Sequence, residues 1–164
     1  MPKKERAIIR IKINGRWREF DREKDITAAM TLSYLLKEVL GLTGIKVSCD
    51  EGACGACTVI MDGKAVLSCM MLALQADGHD IQTIEGLAKE DPVVAAFAAQ
   101  SEPGYGTARQ GGYCTPGFVM TARALLDENP APTLDAPTTG AIAVEIATDP
   151  VAPLAAVGLP LLSK

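Results

Sequence analysis

Three cysteines spaced C-x4-C-x2-C, at Cys49, Cys54 and Cys57, constrain this chain more than any other feature. A fourth, Cys69, follows after eleven intervening residues. This is the plant-type spacing of [2Fe–2S] ligands, and it points to one-electron transfer rather than bond-making chemistry. Four soft anionic ligands need a backbone that bends tightly around them. Gly52, Ala53, Gly55 and Ala56 supply it: small residues let the N–H groups point at the sulfurs, and glycine takes positive φ without steric cost. Structural zinc is the competing reading, but its ligands usually come as two well-separated C-x2-C pairs rather than three cysteines within nine residues. Buried, unligated cysteines are the remaining alternative.

Length and charge narrow the setting. A chain of 164 residues holds one ordinary domain or two small ones. With 48% hydrophobic and 22% charged residues, a packed core is within reach. The net charge of −4 carries no nucleic-acid footprint. Apolar stretches are broken by charge well short of the roughly 18 residues a membrane span needs, and the charged start lacks the apolar run of a signal peptide. Clustered cysteines suit a metal site in a reducing compartment better than a disulfide scaffold, so a cytoplasmic location is expected. No P-loop, dinucleotide fingerprint or Ser/His/Asp arrangement supports independent catalysis.

Along the chain, Ile9, Ile11 and Ile13 alternate with Arg10 and Lys12 as in a half-buried strand. Asn14-Gly15 is a two-residue hairpin turn, with a second strand expected over 16–20 and Trp17 and Phe20 packing the hairpin. Residues 31–40 place Leu32, Leu35, Leu36, Val39 and Leu40 on one helical face, and Gly41 is a natural stop. After the cysteine loop come a strand over 58–61, the turn Asp62-Gly63, a strand over 64–67 and another over 81–84. From Asp91 the pattern turns helical: Pro92 opens a helix over 93–100, and 101–112 reads as a linker. Thr115 as N-cap and Pro116 at the first helical position open another helix, running to about Glu128 and stopping at Asn129-Pro130. The single histidine, His79, lies in a turn and reads as a solvated residue rather than a ligand or base, since histidine chemistry normally needs an orienting partner.

The segment Gly41-Leu42-Thr43-Gly44-Ile45-Lys46-Val47-Ser48, the cysteine loop after it, and Ile84-Glu85-Gly86-Leu87 resemble the small iron–sulfur subunit of the molybdenum hydroxylases. That is the xanthine oxidase family, which includes carbon monoxide dehydrogenase. The stretch 110–130, with Tyr113-Cys114-Thr115-Pro116-Gly117, is similar to the family's second domain. The resemblance implies an α+β chain: a β-grasp, ferredoxin-like domain over 1–87, then a small helical-bundle domain over 88–164. It implies a heterotrimer with a large molybdopterin subunit and a FAD subunit, two such trimers forming a dimer. Electrons would pass from the molybdenum centre through two [2Fe–2S] clusters to FAD. Carried over by motif, Cys49, Cys54, Cys57 and Cys69 would hold the distal cluster, Cys114 would belong to the second, and Gln110 would lie against the pterin.

The resemblance breaks in two places. The second cluster in this family takes a Cys-Gly-x-Cys pair and a later Cys-Arg-Cys. Here the first pair reads Gly111-Gly112-Tyr113-Cys114, and from about residue 131 the later pair is missing. One thiolate cannot hold two irons, so Cys114 reads more simply as an unligated cysteine. Two accounts of the loss compete. The chain carries one cluster, or the tail is read in a shifted frame: from the third base of the Gly140 codon, codons over 140–145 permit Gly-Asn-Arg-Cys-Arg, the opening of the missing motif. Two further functional readings are a free-standing ferredoxin-like carrier and a degenerate subunit kept for assembly.

Overall fold

The computed structural model describes residues 8–99 and 111–130. Strands β1 (Ile8–Ile13) and β2 (Arg16–Asp21) form the expected hairpin. Asn14 and Gly15 take φ of 48° and 80°, a turn whose twist matches the strands it joins. Ile9, Ile11 and Ile13 are buried, while Arg10 faces solvent and meets Glu19 across the ladder. Phe20 enters the core, but Trp17 does not. It stands on the outer face of the hairpin, 55% exposed, under the Arg10 guanidinium. An edge strand buries one face only, and Trp17 has the parity of the other face.

Strands β3 (Thr58–Met61) and β4 (Lys64–Leu67) form a second hairpin around Asp62-Gly63. The short strand β5 (Asp80–Gln82) joins the two, parallel to β1 and antiparallel to β3, giving the order β2-β1-β5-β3-β4. The strand expected over 81–84 ends earlier because Asn14 captures Thr83. The Thr83 N–H donates to Asn14 Oδ1 at 2.9 Å and Asn14 Nδ2 donates to the Thr83 hydroxyl at 2.9 Å, so Ile84–Gly86 turns away as a 3-10 turn.

One face of the sheet is covered by the helical segment after Thr31, whose hydroxyl accepts the Tyr34 N–H. Helix α1 (Leu32–Tyr34) continues as a wider π-helical turn over Leu35–Val39, with the Leu40 N–H bonded to the Leu35 carbonyl. Leu32, Leu35 and Leu36 are fully buried, each contributing about 1.5–3 kcal/mol of burial. The wider turn carries Val39 off the face assigned to it, to 47% exposure. Gly41 closes the segment at φ +72°.

The opposite face is covered at β3, whose apolar run is buried on both sides: Val59 in the main core, Ile60 against Met120 and Ala124. Those two side chains belong to α3 (Thr115–Glu128). Helix α2 (Pro92–Ala99) packs Val93 and Phe97 against Val119 and Ala122 of α3. Asp91 Oδ1 caps α2 by accepting the N–H groups of Val93 and Val94. The cap of α3 differs from expectation. Cys114, not Thr115, is the N-cap, Thr115 and Pro116 are already helical, and the Cys114 carbonyl accepts the Phe118 N–H. The turn at Gly112, φ +73°, brings the chain in one residue early. Among the described residues no helix is long and apolar enough to cross a membrane.

Candidate metal centre

The cysteine loop runs from the end of the α1 segment into β3. Three residues take left-handed backbone: Asp50 at φ +53°, Gly52 at +80° and Gly55 at +72°. The loop thereby folds back on itself, and the Cys54 N–H reaches the Cys49 sulfur at 3.4 Å. At its far end the Gly55 carbonyl accepts both the Thr58 hydroxyl, at 2.6 Å, and the Thr58 N–H, at 3.1 Å. Cys69 arrives at the far end of the β3–β4 hairpin, whose first strand begins just after Cys57. Register between β3 and β4 sets Thr58 opposite Leu67, so Ser68–Met70 turns beside Cys57. The buried Ser68 hydroxyl donates to the Cys57 carbonyl at 2.7 Å and locks the two segments together.

The thiols sort into two pairs. Cys57 and Cys69 are buried and lie beside one another; Cys54 is exposed, Cys49 half-buried, and the Cys54 N–H bonds the Cys49 sulfur. Their protonation differs accordingly. The Glu51 and Cys54 backbone N–H groups bring the Cys49 thiol down to about 7. Burial, with the Cys57 thiol beside it, pushes Cys69 up to about 11, against a Gly52 N–H that favours its thiolate. Among the described residues no three His, Cys, Asp or Glu side chains are grouped to hold a metal ion. Two pairs of thiols, joined through the short link between Cys54 and Cys57, are the donor set of a two-iron cluster. Gly52 belongs to that cradle: a Cβ there would stand 2.9 Å from Met70 Cγ.

Of the other expected site residues, Cys114 is exposed and shares a cavity of about 290 Å³ with Cys54, Ser48 and Tyr113. Tyr113 ties that segment to the approach of the cysteine loop, its hydroxyl donating to the Val47 carbonyl at 2.8 Å under the Lys46 ammonium. Gln110 and the tail from residue 131 lie outside the described residues.

Three supporting residues carry roles that the sequence pattern alone does not assign. Ser68 is one. Glu85 is another: Oε1 accepts the Gly44 N–H at 2.7 Å and Oε2 accepts the Thr83 hydroxyl at 2.7 Å, anchoring the approach to the loop. Its place in the Ile84-Glu85-Gly86-Leu87 motif was the available signal. The third is Asp62, which hydrogen-bonds His79 Nδ1 and accepts the Asp80 N–H at 2.9 Å. His79 is a partly exposed turn residue as expected, but with an orienting partner.

Fold and thiol set together define a ferredoxin-like iron–sulfur chain. The 2Fe-2S iron-sulfur cluster binding domain family matches residues 11–86, and the [2Fe-2S] binding domain family matches residues 83–147. The nicotinate dehydrogenase small FeS subunit of Eubacterium barkeri is 46% identical over 128 residues, covering 78% of this chain and 77% of that one. A probable xanthine dehydrogenase component of Bacillus subtilis (strain 168) is 50% identical over 101 residues, which span 62% of this chain and 56% of that relative. The structure of quinoline 2-oxidoreductase from Pseudomonas putida 86 superposes with a TM-score of 0.69 at 37% identity, covering 94% of this chain and 99% of that one. The chain belongs to the small iron–sulfur subunits of the molybdenum hydroxylase family.

Proposed function

We propose that this chain is the electron-relay subunit of a molybdenum hydroxylase, with Cys49, Cys54, Cys57 and Cys69 holding a [2Fe–2S] cluster. The observation that carries the assignment is the sorting of four thiols, three from one glycine-bent loop and one from the turn after β4, into a buried pair and a more exposed pair. A cluster of this kind, when bound, accepts and releases one electron at a time. The protein's part is to hold it, exclude water from its inner side and leave an outlet. Cys57 and Cys69, under β3 and β4, are the closed side; Cys54 and half-buried Cys49 are the open one. Backbone N–H groups aimed at Cys49 and Cys69 stabilise negative charge on sulfur.

The assembly is the family's: a large molybdopterin subunit as electron donor, a FAD subunit as acceptor, two heterotrimers forming a dimer, in the cytoplasm. By the family pattern, residues 1–87 correspond to the ferredoxin-like domain and 88–164 to the helical second domain, from which the sequence departs after about residue 131. Helix α3 argues against a free-standing carrier, which needs no second element laid over β3. Cys114 is a lone thiol at the mouth of α3 and holds no cluster by itself. Gln110 is the candidate pterin contact.

The test is iron and acid-labile sulfide per chain, with paramagnetic resonance of the dithionite-reduced protein, for wild type, Cys57→Ser and Cys114→Ser. Two irons and a rhombic signal are expected in the wild type and in C114S, and neither in C57S. A colourless or zinc-loaded wild type ends the proposal, and four irons per chain would restore the second cluster.

A further inference from the structure

The first turn of α3 rests directly on the cysteine loop. Gly117 is the third residue of the helix, and a Cβ built on it would stand on the Gly55 carbonyl oxygen, 2.9 Å from Ala56 Cα and 3.1 Å from the Ala56 carbonyl carbon. All three are backbone atoms, so no side chain can rotate away to make room. The Gly55–Ala56 peptide is the middle one of the three that link Cys54 of the more exposed pair to Cys57 of the buried pair. On its other side the same carbonyl is held by the Thr58 hydroxyl and N–H. The helix cannot slide back, because Met120 and Ala124, one and two turns further on, are buried against Ile60 of β3.

We infer that Gly117 is a positioning residue for the cluster: its missing side chain lets α3 press the Gly55–Ala56 peptide against Thr58 and fix Cys54 relative to Cys57. The inference rests on the four-cysteine assignment above and adds to it that the second segment sets the geometry of the first segment's centre. Hydrogen bonds to the sulfurs and solvent access set the properties of such a cluster. Both depend on where this peptide sits. A methyl group at position 117 must either lift the helix off the Gly55–Ala56 peptide, freeing that peptide to shift, or push the peptide itself, turning the amides that follow it.

The experiment uses the full chain, reconstituted with ferrous iron and sulfide, as wild type, Gly117→Ala and Leu126→Ala. Leu126 packs into the α2–α3 core away from the loop, so L126A loosens the helix without a clash. G117A is expected to shift the rhombic paramagnetic signal and the midpoint potential. It should also lose its cluster to a chelator about tenfold faster, the rate equivalent of ~1.4 kcal/mol. L126A is expected to lower the melting temperature while leaving signal and potential at wild-type values. A G117A chain that takes up no cluster while L126A loads normally supports the same contact. Changes alike in both variants, or a wild-type signal and potential in G117A, overturn it. A wild type that forms no cluster overturns the four-cysteine assignment instead, which keeps the two failures apart.

Discussion

Replacing Gly52 by alanine separates the loop's folding role from its cluster-holding role. Gly52 sits at φ +80°, where an L side chain costs about 1–2 kcal/mol. Its new Cβ would meet Met70 Cγ at 2.9 Å and Sδ at 3.3 Å, but Met70 is 62% exposed and its thioether swings aside cheaply. Gly41 is the matched control: φ +72°, nothing within 4 Å, and an N–H bonded to the Lys37 carbonyl rather than to a sulfur. Both cluster-free variants should therefore lose about 1–2 kcal/mol, roughly 2–4 °C of melting temperature per kcal/mol at this chain length. The loaded chains should part company. The Gly52 N–H favours negative charge on the Cys69 sulfur, and relaxing φ toward negative values turns that donor away. A hydrogen bond to a charged sulfur is worth about 1.5–3 kcal/mol, which makes chelator-driven bleaching of G52A about ten- to a hundredfold faster. G41A should bleach at the wild-type rate. Equal bleaching of the two variants would refute the claim that the Gly52 amide holds the centre.

Two more outcomes follow from the same geometry. In the cluster-free chain, iodoacetamide should label Cys49 ahead of Cys69 at neutral pH, with labelling of Cys49 rising as pH passes about 7, while Cys69 stays a thiol up to about 11; peptide mass spectrometry reads the order, and equal labelling would contradict the sorting of the pairs. The Asp62 carboxyl is held below its usual range by His79 and then by the Asp80 N–H, so its stabilisation is present above the unfolded value near 4 and lost as pH falls through the lower folded value. Urea midpoints of wild type and Asp62→Asn should therefore differ at pH 6 and converge toward pH 3; a gap that persists at low pH refutes the Asp62 contribution.

What could be read ahead of the structure was local. Asn14-Gly15 and Asp62-Gly63 carry their turn geometry within two residues, and both adopt it. The isoleucine alternation of β1 and the leucine face of the α1 segment concern neighbours a turn or a residue apart. Trp17 packs the hairpin, but on its outer face under Arg10, because a strand's pattern says which residues share a face, not which face is covered. The π-helical turn after Tyr34 and the early cap at Cys114 answer to what packs on those segments, not to their own propensities.

Ligand chemistry belongs to the chain's linear order: three sulfurs and the glycines between them lie in nine consecutive residues, and no distant contact is needed to bring them near one another. Which thiols face water, and what presses on the loop, were settled only when the chain folded. Cys69 meets Cys57 through the β3–β4 register, Glu85 reaches Gly44 across forty-one positions, and Gly117 meets Gly55 because β3 buries both its faces. Contacts between residues so far apart depend on sheet order and on the path of the connections, which no short stretch of sequence contains.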